Sequence, residues 1–173
     1  MHLLLKSMSK IYLFVPFIFL FSACSLKGDA CNPEQLSTRF QENQKITLTE
    51  DTENGTFSFT ISEGDKQVFQ YEYVGAECPE VIDDETGENF YFEIGSDLES
   101  FEYTDEELAS IQAIYQPNGA WIAHLPSRIT EGSVSGERIS SSKWEISVDV
   151  VVGPFFEGGQ TRNLTFKQIF TKI

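Results

Sequence analysis

The sequence predicts an α+β domain built on a predominantly antiparallel β-sheet with two short helices. Apolar and polar residues alternate over several segments, which is the pattern of half-buried strands. Short turn signals join most of these segments, and short turns connect antiparallel neighbours. Signals for a helix are confined to two places. The same pattern is compatible with a sheet that curls into a barrel-like shape.

The first predicted element is a short helix at about residues 33–41. Asn32 is a suitable N-cap, Pro33 suits the first helical position, and Glu34 lies in the first turn. We therefore expect about two helical turns before the first strand.

A meander of strands is predicted next. Asn54-Gly55 separates two alternating segments and is the strongest short-range signal for a hairpin. Gly64-Asp65 is expected to turn the chain into a third strand, and a fourth follows the acidic turn at 83–88. The inward-facing candidates in these strands are Ile46, Leu48, Phe57, Phe59, Ile61, Phe69, Tyr71, Tyr73, Phe90, Phe92 and Ile94.

The second predicted helix lies at about residues 105–115. Thr104 and Glu107 make a capping box, and the acidic first turn suits the helix dipole. The helix is expected to stop before Pro117. The residues expected on its apolar face are Leu108, Ile111, Ile114 and Tyr115.

The C-terminal third is predicted to be β-structure. Weak strands are expected in the Ser/Gly-rich stretch 127–142, and two strong alternating strands follow at 144–152 and 164–170. Gly153-Pro154 and Gly158-Gly159 supply the turn between them.

The N-terminus has the layout of a secretory signal peptide over residues 1–23. Lys6 and Lys10 form a basic leader, an apolar run extends over 11–21, and Ser22-Ala23 are small residues before Cys24. The run is shorter than the roughly 20 apolar residues of a spanning helix and contains Pro16. A permanent transmembrane helix is therefore the weaker reading.

The window Leu20-Phe21-Ser22-Ala23-Cys24 resembles the lipobox of bacterial lipoproteins. The resemblance implies cleavage before Cys24, diacylglycerol on its thiol and a fatty acyl chain such as palmitate on its amino group. The protein would then be membrane-anchored through lipid, with residues 24–30 as a short tether. By the same resemblance, Ser25 favours the periplasmic face of the outer membrane over the inner membrane, if the host is Gram-negative. The competing reading is an ordinary signal peptide cut after Ala23.

Removal of the leader leaves 150 of the 173 residues, and residues 31–173 have the size of one globular domain. The leader carries two of the 12 basic residues and none of the 27 acidic ones, so the net charge changes from −15 to −17. Such a surface repels nucleic acid, which excludes nucleic-acid binding.

Cys31 and Cys78 are the two cysteines that remain if Cys24 is lipidated. In a compartment that permits disulfides they are expected to pair with each other. The competing reading, a metal site or a catalytic thiol, lacks a nearby histidine or a second Cys/His cluster.

The sequence contains few candidates for chemistry. His124, the one histidine left after processing, lies in an apolar stretch and is expected to belong to the core. The acidic turn offers a weak calcium candidate whose spacing departs from the EF-hand loop at Gly87. The ligands of that candidate would be Asp83, Asp84, Glu85 and Glu88. No catalytic residue and no cofactor is predicted.

Three hypotheses for function follow. The first is a cell-envelope lipoprotein with a non-enzymatic binding or assembly role, whose partner is an envelope protein or a small ligand. The second is a hydrolase of envelope polysaccharide that uses a pair of carboxylates. The third is a surface protein stabilised by Ca²⁺. The sequence leaves the enzyme question open and favours the first.

Overall fold

Strands make up most of the chain that the structure describes, and they belong to a single sheet. The computed structural model describes residues 31–81, 86–119, 125–154 and 159–173. A single short 3-10 turn, Asp105–Ala109, interrupts these strands within the described residues. The strands are β1 Gln35–Asp51, β2 Thr56–Val74, β3 Thr86–Gly95, β4 Ser100–Thr104, β5 Ile114–Gly119, β6 Ser127–Arg128, β7 Gly132–Ser140, β8 Lys143–Val152 and β9 Arg162–Lys172.

The sheet is mixed, with the strand order β4-β7-β8-β9-β1-β2-β3-β5-β6. Neighbours pair antiparallel except β1 and β9, which pair parallel at Arg39↔Thr171 and Phe40↔Lys172. The predicted class of α+β with two helices is therefore wrong: the described chain is a β-protein.

The helix predicted at 33–41 is replaced by the beginning of β1, a strand of 17 residues. Cys31 is bonded to Cys78, and Asn32 forms an isolated antiparallel bridge with Glu77. Phe40 then pairs with Phe69 of β2, and the two rings stack at 5.2 Å. A favourable N-cap contributes only about 1 kcal/mol. Pairing along the whole of β2 outweighs that local signal.

The hairpin at Asn54-Gly55 is confirmed, but β2 continues through Gly64-Asp65 where a turn was predicted. These two residues form a bulge, because Gln44 lies opposite both Glu63 and Lys66. A Cβ atom on Gly64 would lie 2.6 Å from the Cβ of Lys45, so glycine permits the close approach of the two strands. Asn43 adopts a positive φ of 57° at the same level.

The helix predicted at 105–115 is also wrong. The capping box of Thr104 and Glu107 forms, but the 3-10 turn ends at Ala109 and Gln112 adopts a φ of 50°. The carbonyl of Ile111 accepts a hydrogen bond from the backbone of Glu93 in β3 at 2.8 Å. Backbone pairing with the sheet therefore replaces helical bonds. The apolar residues are buried as expected, although not on a helix.

The sheet curls so that one face encloses the main core. Phe92 of β3 contacts Phe101 of β4 with ring centroids 5.9 Å apart, although five strands separate β3 from β4 in the sheet order. Phe69 lies at the centre and contacts Phe92 at 4.7 Å and Trp144 at 5.8 Å. A Cβ atom on Gly136 would lie 2.6 Å from the ring of Phe101, so glycine leaves room for that ring.

Beyond the bulge, the tip of the hairpin leaves the main core and packs on the outer face of the sheet. We call residues 45–62 the hairpin arm. Its apolar side chains form a second, smaller cluster with Val68, Tyr91 and Ile114. The arm residues in this cluster are Ile46, Leu48, Phe57 and Phe59.

Polar contacts fasten the hairpin arm at two points. The backbone N–H of Ile46 donates to the carboxylate of Glu93 at 2.5 Å. Arg128 of β6 pairs with Glu50, and its guanidinium lies 5.1 Å from the centre of the Phe57 ring. The arm is thus attached to the sheet by few contacts.

The strands predicted in the C-terminal third are confirmed as β7, β8 and β9, and the predicted fourth strand is confirmed as β3. None of the described segments forms a helix with the length and apolar character needed to span a bilayer.

Candidate functional site

The candidate site is the cleft between β1 and β9, by which we mean the described stretch over which these two neighbouring strands do not pair. β9 pairs with β8 along its whole length, from Arg162↔Val152 to Thr171↔Lys143. Its pairing with β1 covers only Thr171 and Lys172. Next to these two residues, the hydroxyl of Thr38 in β1 donates to the carbonyl of Ile169 in β9 at 2.8 Å. A side chain of β1 thus supplies this hydrogen bond in place of a backbone N–H.

Aromatic rings form the inner wall of this cleft. Tyr71 of β2 and Phe166 of β9 stack with centroids 4.2 Å apart and planes 8° from parallel. Phe166 remains partly exposed and also contacts Phe90 and Phe170 of the main core. Tyr73 is partly exposed as well, and its hydroxyl donates to the carboxylate of Glu34 at 2.9 Å. The wall therefore combines apolar ring faces with a few hydrogen-bonding groups.

An ion pair at the first residue of β9 connects this strand with β3 across the core. Arg162 of β9 pairs with Glu88 of β3 and donates to the hydroxyl of Tyr115 in β5 at 3.1 Å. The guanidinium lies 5.7 Å from the centre of the Tyr115 ring. The side chain of Glu88 is 8% exposed and that of Arg162 is 32% exposed. These contacts join three strands and close this end of the main core.

Burial determines the ionisation of the groups around this ion pair. It raises the pKa of Tyr115 and that of Tyr71, which the neighbouring Tyr73 raises further. Burial also lowers the pKa of the Arg162 guanidinium from its very high ordinary value. Both tyrosines therefore keep their protons at neutral pH, and their hydroxyl groups can act as hydrogen-bond donors.

The structure confirms the predicted pairing of Cys31 with Cys78, whose Cα atoms are 4.1 Å apart. Cys24, the lipidation candidate, lies outside the described residues, and so does His124.

The weak calcium candidate is only partly described. Three of its ligands, Asp83, Asp84 and Glu85, lie outside the described residues. The fourth, Glu88, is in β3 and pairs with Arg162. Within the described ranges, no three His, Cys, Asp or Glu side chains come together as a metal site would require. Calcium stabilisation stays a prediction for the acidic turn, and Glu88 has another role.

A second surface feature is a polar depression on the outer face of β4, β7, β8 and β9, with a volume of about 320 Å³. Three neighbouring strands carry serine there, which leaves space that larger side chains would fill. Glu137 lies directly opposite Glu145, whose carboxylate pairs with Lys167 at 2.6 Å. The residues around the depression are Ser100, Phe101, Glu102, Ser135, Gly136, Glu137, Glu145, Ser147 and Lys167.

Sequence reasoning missed Arg162 and assigned Glu88 to the acidic turn. A usable signal was present in both cases. Glu88 is in phase with the buried Phe90 and Phe92, and Arg162 is in phase with Leu164 and Phe166. A charged residue at an inward position of a strand needs a partner of opposite charge. Two such residues of opposite sign predict an ion pair across the core.

Comparison with protein-family models, with curated proteins and with solved structures found no match in any of the three. The function of this chain therefore has to be argued from its own residues and contacts.

Proposed function

We propose that this chain is a lipid-anchored protein of the bacterial cell envelope that binds a partner and does not catalyse a reaction. The observation that carries the proposal is the Cys31–Cys78 disulfide. Disulfides persist in secreted and periplasmic compartments and are rare in the cytosol. The disulfide agrees with the secretory leader and with the lipobox resemblance at Cys24. Those two predictions rest on residues other than Cys31 and Cys78.

The tether would hold the cleft close to the membrane. Residues 25–30 span at most about 20 Å when fully extended. The disulfide attaches Cys31 to Cys78, which follows the end of β2. The carboxylate of Glu34 accepts a hydrogen bond from Tyr73 in the wall of the cleft. A lipid on Cys24 would therefore place the cleft within a short distance of the headgroups. If the host is Gram-negative, the resemblance to lipoproteins with Ser25 after the lipidated Cys24 makes the periplasmic face of the outer membrane the proposed location.

The chemistry of the cleft favours binding over catalysis. The buried carboxylate of Glu88 is engaged in an ion pair with Arg162, so it is not free to face a substrate. Aromatic faces beside a few hydrogen-bonding groups are typical of sites that bind a protein segment or a small ligand.

A hydrolase remains the second candidate because of one feature, the facing pair Glu137 and Glu145 in the polar depression. Like charges directly opposite each other destabilise a sheet, so their presence calls for a compensating role. If they act on envelope polysaccharide, Glu137→Gln abolishes hydrolysis of purified peptidoglycan, whereas Glu131→Gln on an exposed position leaves it unchanged. A wild-type protein without hydrolytic activity excludes this candidate.

The decisive experiment is intact-mass analysis of the detergent-extracted protein together with Cys24→Ala. We expect the mass of a diacylglyceryl group and an acyl chain on the wild type, none on the variant, and free thiols only after reduction. Fractionation should place the wild type with membranes and release the variant. An unmodified Cys24 in the wild type would contradict the proposal.

A further inference from the structure

We propose that the side of β9 that faces the cleft binds an extended segment of a partner protein by β-strand addition. The inference rests on the proposed binding function and names the kind of partner. It starts from the pairing of β9, which has β8 on one side over its whole length and β1 on the other side only at Thr171 and Lys172. Among the described residues, 163–168 thus have a strand partner on one side only.

The direction of each backbone group in β9 follows from three hydrogen bonds. The carbonyl of Ile169 accepts from Thr38 of β1, and the N–H of Ile173 donates to Phe40 of β1. The N–H of Lys172, by contrast, donates to Ser142 beside β8. Successive residues of a strand direct their N–H and C=O groups to opposite sides. The odd-numbered residues therefore point toward the cleft.

By this rule, three residues of β9 present backbone groups that have no strand partner within the described part of the chain, namely Asn163, Thr165 and Lys167. Together with their neighbours they form an edge of six residues, 163–168, about 20 Å long at about 3.3 Å per residue. A strand edge of this length is a template for another chain, and proteins ordinarily cover it or shorten it. This one lies inside the sheet order, between two long strands.

The side chains beside this edge indicate what the added strand contains. On its inner side lies Phe166, which is partly exposed, stacks on the buried ring of Tyr71 and offers an apolar surface to alternate residues of a bound segment. On its outer side lie Thr165, which donates to Asp149, and Lys167, which pairs with Glu145. The partner is therefore an extended segment in which apolar residues alternate with polar ones.

The test uses a matched pair of substitutions at Thr165. Thr165→Pro removes the N–H that points toward the cleft and leaves the bonds to β8, which come from the even-numbered residues. Thr165→Ala loses the same side-chain bond to Asp149 but keeps the N–H. The probe is a short peptide with blocked ends in which valine and threonine alternate between terminal lysines. Its counterpart, N-methylated at every peptide nitrogen, is the control.

We expect wild type and Thr165→Ala to bind the probe alike, and Thr165→Pro to bind at least about tenfold more weakly, which corresponds to about 1.4 kcal/mol. The N-methylated peptide should not bind. Equal binding by the proline and alanine variants, or no binding of the probe to the wild type, would overturn the proposal. If either of these results is obtained and Cys24 nevertheless carries lipid, strand addition is wrong but the proposed envelope location is retained.

Amide hydrogen exchange on the detergent-solubilised wild type keeps the proposal testable if the proline variant does not fold. We expect the amides of Thr165 and Lys167 to exchange much faster than those of Leu164 and Phe166, and the probe to slow the first pair selectively. Slow exchange of all four without the probe would show that the edge is already covered, by this chain or by a second copy. That result would overturn binding of a foreign segment.

Discussion

The strands β1 and β2 contribute to both the main core and the hairpin arm, yet the packing of these two regions differs sharply. In the main core, the rings of Phe40, Phe69, Phe92, Trp144 and Phe170 are at most 1% exposed. In the arm, Ile46 is 6% exposed and Leu48, Phe57 and Phe59 are only partly buried. The bulge at Gln44 redirects β1 and β2 from one cluster to the other. The length of a strand therefore says little about the stability of its two ends.

This comparison predicts that the free energy of unfolding depends mainly on the centre of the main core. Phe69→Ala should lower it by about 3 to 5 kcal/mol, because the substitution removes a ring that contacts four other aromatic side chains and leaves a cavity. Urea denaturation followed by tryptophan fluorescence measures the change. If Phe69→Ala lowers the free energy of unfolding by less than a substitution in the hairpin arm does, the main core is not the more stabilising region.

The ion pair that closes the main core should contribute the next largest effect. Arg162→Met should cost roughly 2 to 3 kcal/mol, because it leaves Glu88 buried without its guanidinium. The value lies below that for a fully buried pair because Arg162 is 32% exposed. The double variant Glu88→Gln with Arg162→Met should recover part of the loss. A double variant less stable than Arg162→Met would contradict this account.

The hairpin arm should respond locally to substitution. Phe59→Ala should lower the free energy of unfolding by only about 1 to 2 kcal/mol, since the ring is partly exposed and contacts Tyr91 at 5.0 Å. Hydrogen exchange should rise in residues 45–62 and remain unchanged in β8 and β9. A uniform rise across all strands would show that the arm and the main core unfold as one unit.

The smallest effect concerns pH at the tip of the arm. Hydrogen bonds from the side chain and backbone of Asn54, and from the backbone of Glu53, hold the pKa of Asp51 below its ordinary value of 3.8. A lowered pKa contributes stability at pH above the unfolded value, and this contribution is lost as the pH falls through the folded value. NMR titration should find Asp51 below 3.8 in the wild type and nearer 3.8 in Asn54→Ala. Equal values would contradict the assignment.

Local patterns predicted the parts of the fold that depend on neighbouring residues. The hairpin at Asn54-Gly55 and the strand β8 follow directly from a turn signal and from alternation. The two helices were wrong because their signals were capping residues and a few apolar spacings, which long-range pairing with β2 and β3 outweighs. The curl of the sheet could not be derived, since it depends on contacts such as that of Phe92 with Phe101.

The candidate site was less accessible to sequence reasoning. The pairing of Cys31 with Cys78 could be predicted because, once Cys24 is assigned to lipidation, the two remaining cysteines leave one combination. The short pairing of β9 with β1 in the described part of the chain could not, because it depends on where β1 ends its contact with β9, and Thr38 carries no local sign of that. Lipidation of Cys24 remains a prediction.

The parallel pairing of β1 with β9 also has a consequence for the order of folding. The residues that meet there are far apart in the chain: 131 positions separate Thr38 from Ile169. Contacts of such separation form slowly, because a long loop must close before they stabilise anything. The β1–β2 hairpin is local and can form early. At that stage the other side of β1 has not yet paired with β9. The folding chain would thus pass through a stage in which β1 is most open to mispairing, and pairing with the C-terminal strand β9 would end that stage.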